Sequence, residues 1–298
     1  MPKSLVSRFS GTFLAAAIGD QFGRQGGSPG AVPGKEDAAA PLAGGREVMA
    51  LVRQLVAQPG WHPPSDRCHS PLAAVVLGLW FHDDERRLIA AIPEALESGI
   101  EGLVVGWAIA KILQGNLAPT IFLGELEQAL ATWQPEASLP PTFKVLGKAL
   151  QKQDSLEQAR RRLAKNSPSQ STAVSMALFC FLSTPDFPAL SIRRAIHAHH
   201  EAALVGALTG AFCGAYNGTA PLPVGWEMAL RETPLEQRWG VDSPRALQSW
   251  GRRLLAVWGG ASPARAATMV PLSSEEASSD GPPTATFPTV AAAGQLRF

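Results

Sequence analysis

The side chains best suited to holding a metal ion stand almost together, at His197, His199, His200 and Glu201. Imidazole nitrogens beside a carboxylate suit Zn²⁺ or Fe²⁺, and on a continuous helix His197 would share a face with His200 and Glu201. A zinc site needs a third or fourth ligand from elsewhere, and no other segment offers one with comparable density. The simpler reading makes these residues polar groups that line or cap a cleft. Asp20 is a different case, an acid closing the apolar stretch Phe13-Leu14-Ala15-Ala16-Ala17-Ile18-Gly19. Towards the end of a helix the macrodipole disfavours a carboxylate, so Asp20 calls for a partner, either a structural hydrogen bond or a group in a pocket.

The remaining charge clusters have plainer roles. Asp83-Asp84-Glu85 precedes Arg86 and Arg87 and complements the dipole at a helix start, while Arg160-Arg161-Arg162 with Lys165 forms a solvated helix face. The chain carries no P-loop, no dinucleotide fingerprint and no nucleophile elbow.

These residues must be positioned by helices. Helical periodicity alternates with Pro/Gly punctuation and no segment alternates with a period of two, which predicts an all-α fold. Helices are expected over 4–21, 46–58, 70–81, 84–96, 100–114, 121–133, 143–151, 155–165, 171–182, 187–217 either whole or interrupted, and 244–258. Residues 23–45 are dominated by Gly, Ala and Pro and form a long connection. From Ser262 onward the chain is Ala, Ser, Thr and Pro with the acidic pair Glu275-Glu276, too poor in large apolar groups to offset the entropy of ordering. One helical domain over 1–261 and a disordered tail over 262–298 are therefore expected.

Composition narrows the partners. Lys plus Arg total 26 against 25 for Asp plus Glu in 298 residues, which leaves no excess to neutralise phosphates, so nucleic acid is not the expected partner. The apolar run 202–216 is too short to span a membrane. Gly19 and Asp20 interrupt the only stretch resembling a secretory leader. Cys68, Cys180 and Cys213 are odd in number and outside any C-x-x-C pattern, as buried thiols in a reducing, cytoplasmic setting would be.

Small residues recur every fourth position at Gly11, Ala15, Gly19 and Gly23, and again at Gly206, Gly210, Gly214 and Gly218. Each glycine costs about 1 kcal/mol of helix propensity relative to Ala, so two such ridges imply a requirement that offsets the loss. The requirement inferred is close packing of the first helix on the late one, each supplying the narrow surface the other needs; the alternative is that the ridges face two different bulky helices.

The opening Gly11-Thr12-Phe13-Leu14-Ala15-Ala16-Ala17-Ile18-Gly19-Asp20-Gln21-Phe22-Gly23 and the closing 206–218 segment, followed by Leu222-Pro223 and Trp226, resemble the two ends of the ADP-ribosylglycohydrolase family. Ser70-Pro71-Leu72 and the helix ending Ile112-Leu113-Gln114-Gly115 extend the likeness through the middle. The resemblance implies a compact orthogonal multi-helix bundle. It also implies hydrolysis of ADP-ribosyl bonds with two Mg²⁺ ions, held by a Thr-Asp-Asp triplet and an Asp-x-Asp-Thr stretch. Here the late stretch reads Glu201-Ala202-Ala203-Leu204, and the early one Gly44-Gly45-Arg46-Glu47, with Glu36 and Asp37 upstream at a spacing that does not match. Hard divalent cations need clustered carboxylates, so the expectation is that no metal cofactor is held. The chain would then be a catalytically inactive scaffold whose partner is a protein or an ADP-ribose-like ligand. The alternatives are an active hydrolase built on Glu201 and an assembly factor of a larger complex.

Overall fold

A computed structural model describes residues 3–26, 44–115, 117, 121–133, 135, 138–164, 169–198 and 201–268. Among them there is no β-strand, only an isolated bridge between Cys68 and Leu96. The all-α expectation holds.

The first helix, α1 (Leu5–Arg24), starts where the Ser4 side chain accepts from the Ser7 amide. Its residues from Phe9 to Gly23 are all buried, so it is the axis of the fold rather than a surface helix. Against it lies α11 (Ala202–Asn217), buried continuously from Val205 to Ala215. The glycine ridges meet, and the helices run antiparallel. A Cβ at Gly214 would overlap the Gly11 carbonyl, one at Gly210 the Ala15 carbonyl, one at Gly206 the Gly19 carbonyl, and one at Gly23 the Ala202 carbonyl. Each glycine lets backbone rest on backbone, which is the packing requirement inferred from their spacing.

On another side of α1 lies α14 (Pro244–Trp258), started by Ser243 and by a proline in the first turn. Its Gly251 would bring a Cβ to 2.8 Å from the Phe9 carbonyl, and Ser10 donates to the Gln248 carbonyl at 3.1 Å. A second close crossing joins α3 (Ala74–Trp80), extended at its start by a 3-10 turn over Pro71–Ala73, to α5 (Gly99–Gln114). There a Cβ on Gly78 would stand 2.5 Å from the Gly106 carbonyl.

Shorter amphipathic helices surround this centre. They are α2 (Gly45–Ala57), α4 (Glu85–Ala95), α6 (Phe122–Trp133), α7 (Pro141–Gln151), α8 (Leu156–Leu163) and α10 (Pro188–Ile196), whereas α9 (Ser169–Ser183) is buried from Ser171 to Leu182 and packs on α11. A capping box between Ser155 and Gln158 opens α8, and Asp84 caps α4. Three further helices were not expected: α12 (Val224–Arg231), α13 (Leu235–Trp239) and α15 (Pro263–Thr268). The last carries ordered structure past the boundary expected at residue 261, because Ala266 is buried against α14 and α2. The rest of the expected tail, 269–298, lies outside the described residues.

Arg8 ties three helices at one end of the bundle. It donates to the Ala215 carbonyl at 2.5 Å, to the Leu113 carbonyl at 3.0 Å and to the Ile112 carbonyl. These carbonyls lie at the C-terminal ends of α11 and α5, where acceptors go short of helical donors and a cation meets the negative pole of each helix; the Ile112 carbonyl accepts from the Gly115 amide as well. Burial pushes the Arg8 guanidinium below its usual range, and it remains charged.

All three cysteines are buried and unpaired, as expected. Burial pushes each thiol up to about 12. At pH 8 the thiolate fraction then falls by roughly three orders of magnitude relative to an ordinary cysteine. Native protein should therefore resist a thiol reagent that modifies all three residues once the chain is unfolded. Rapid native labelling would contradict the burial.

Candidate functional site

The two segments that the resemblance identified converge on the C-terminal half of α1. The start of α11 arrives through Gly23, whose Cβ would clash with the backbone of Ala202 and Ala203. The start of α2 arrives through Trp239 of α13. A Cβ on Gly45 would lie 2.7 Å from the Trp239 ring and 2.9 Å from the Arg238 carbonyl.

Asp20 sits at the middle of this junction, 2% exposed. Its carboxylate accepts from Arg24 Nε at 3.1 Å on one oxygen, and from Trp239 Nε1 at 3.0 Å on the other. Arg238 Nη2 also lies 2.6 Å from that second oxygen. Gln21 Oε1 accepts from Arg238 Nη1 on the same side. Burial lowers the pKa of Arg238, with Asp20 opposing that shift and the neighbouring Arg24 adding to it. The partner that the helix dipole demanded of Asp20 is thus a pair of guanidiniums and an indole. Arg24 was visible in the sequence as an i,i+4 partner; Arg238 and Trp239 carried no such signal, because 219 residues separate Asp20 from its indole donor.

The histidine cluster is not the helical face that its spacing suggested. Helix α10 ends at Ile196, His197 is its exposed C-cap residue, and Glu201 is the half-buried N-cap residue of α11. His197 and Glu201 therefore belong to different elements and do not share a face. His199 and His200 lie outside the described residues, as do Glu36 and Asp37. At the N-cap of α11 a carboxylate on Glu201 is favoured by the dipole without any ligand role.

The residues at the metal positions of the resemblance do not fit a pair of Mg²⁺ ions. Gly44 and Gly45 offer no side-chain oxygen, and Arg46 is an exposed cation. Glu47 is engaged, accepting from the His69 amide at 3.2 Å and the Ser70 amide at 2.9 Å. On α11, Ala203 and Leu204 replace the second carboxylate and the hydroxyl. Among the described residues no three His, Cys, Asp or Glu side chains converge to hold a metal.

An all-helical bundle with a helix pair of this closeness, and with a polar junction at one end of it, defines a scaffold class. The family model for ADP-ribosylglycohydrolase matches residues 25–263, and the chain belongs to that family. The matched span begins after α1, so the Gly-Asp motif of α1 stands on its own residues and on its packing against α11. A search of curated proteins finds no significant match. Among the described residues no helix is long and apolar enough to cross a membrane.

Proposed function

We propose that this chain is a non-catalytic member of the ADP-ribosylglycohydrolase family that uses the inherited scaffold to bind a protein or an ADP-ribose-like ligand. One observation supports the reading above the others. Asp20, the acid retained from the family motif, is already neutralised by Arg24 and Arg238 and hydrogen-bonded by Trp239. A carboxylate in that state has little to give a divalent cation, and a guanidinium beside it repels one. The buried, protonated thiols accord with residence in a reducing compartment.

The test is a hydrolysis assay on ADP-ribosylated protein and on small-molecule ADP-ribosyl compounds, with Mg²⁺ present. The expected outcome is release no faster than the protein-free blank. Metal-dependent release would overturn the proposal, and a Glu201→Ala variant would then show whether Glu201 carries that activity.

A further inference from the structure

We infer that an arginine face on α2 and α14 is a docking surface for the chain's own acidic stretch, residues 273–280. From Ser243 to Thr268 the sequence holds Arg245, Arg252, Arg253 and Arg265 and not one acid. Arg245 and Arg252 stand seven residues apart on one side of α14, and Arg253 begins the adjoining side. There Arg253 lies 4.8 Å from the Trp250 ring, and Arg53 of α2 lies 5.7 Å from the same ring.

Their partners leave the charge unanswered. Arg53 donates to the Gly240 carbonyl and Arg253 to the Ala267 carbonyl at 3.4 Å, both neutral acceptors. Among the described residues no carboxylate pairs with Arg53, Arg245, Arg252 or Arg253. The Nε–H groups of Arg252 and Arg253 are buried with no acceptor at all, a state that native structures rarely leave unfilled.

The sequence supplies matching acceptors close by. Glu275, Glu276 and Asp280 are the only acids after Asp242, and Ser273, Ser274, Ser278 and Ser279 add hydroxyls among them. The Ala267 carbonyl held by Arg253 stands eight residues before Glu275, so an extended chain of about 3.4 Å per residue reaches every arginine of the face. Tethering at that length gives an effective concentration in the millimolar range, enough for a few screened charge pairs to hold the segment. An acidic peptide on another molecule would have to compete with it.

The test uses the full chain carrying Ser278→Cys, labelled with a nitroxide; the native thiols are buried and do not compete. At about 50 mM NaCl the electron paramagnetic resonance spectrum should contain a motionally restricted component that falls about threefold or more in 1 M NaCl. The same loss is expected in Glu275→Lys/Glu276→Lys, which leaves the arginine face itself intact, and in Arg252→Glu/Arg253→Glu. Combining the two pairs of substitutions should restore it. A uniformly mobile spectrum in the parent, or restriction that survives either pair, would overturn the inference. Restriction that grows with protein concentration would assign the face to a second copy and overturn docking within one chain.

Discussion

Gly210→Leu should cost the protein about 4 kcal/mol or more, lowering its melting temperature by roughly 10 °C or preventing folding altogether. Even a Cβ at this position overlaps the Ala15 carbonyl oxygen and reaches the Ala16 amide nitrogen at 3.0 Å, so the obstacle is backbone, which no rotamer change can move. Two fully buried helices would have to separate along their length, forfeiting contacts on both sides of the ridge. Gly124 of α6 is the internal comparison. A Cβ there meets nothing within 4 Å, and Gly124→Ala should stabilise by up to about 1 kcal/mol through helix propensity. Chemical denaturation of the two variants beside the parent checks both signs. A Gly210→Leu protein as stable as the parent would refute the close helix pair.

The second large effect is expected at the Asp20 junction. The side chains of Asp20 and Arg238 are only 3% and 11% exposed, so their ion pair is screened little by solvent. Arg238→Met removes one partner of a buried pair and should cost about 3–5 kcal/mol, because the carboxylate and the indole network are left incompletely compensated. Asp20→Asn should cost a comparable amount by leaving two guanidiniums facing each other. The double variant should be less damaged than the sum, with a coupling of about 1.5 kcal/mol or more. Arg238→Lys should not rescue, since an ammonium cannot serve Asp20 and Gln21 from one rigid fork. Simple additivity of the single losses would show that the pair contributes nothing specific.

The parts of this architecture that were legible in the sequence are those with local causes. The four-residue spacing of Gly206, Gly210 and Gly214 announced a close helix contact because only an adjacent backbone can exploit such a surface. The helix start at Asp83-Asp84-Glu85 was legible for the same reason: Asp84 satisfies an orphan amide three residues on. Helix α13 was not legible. Its five residues, between Pro234 and Gly240, are too short for a periodic pattern, and they are ordered by Trp239 lodging against Gly45 and Asp20. The same long-range docking explains why Arg238 escaped notice as a site residue. The break between α10 and α11 had a weak signal, since the histidines continue a plausible helical spacing.

The substitutions at the metal positions and the arginines at Asp20 describe one change from two sides. On the reading proposed above, the positions where the resemblance expects clustered carboxylates carry Gly44, Gly45, Arg46, Ala203 and Leu204, and the acid Asp20 is met by Arg24 and Arg238. An arginine is permanently charged and covalently attached, so the junction needs no metal for its stability.

Calorimetric titration of the full chain with Mg²⁺ tests that claim most directly. No heat beyond dilution is expected through the low-millimolar range, and ADP-ribose should titrate identically with and without the metal. Saturable Mg²⁺ binding at two sites would contradict it, and would mean that ligands outside the described residues complete a working metal centre.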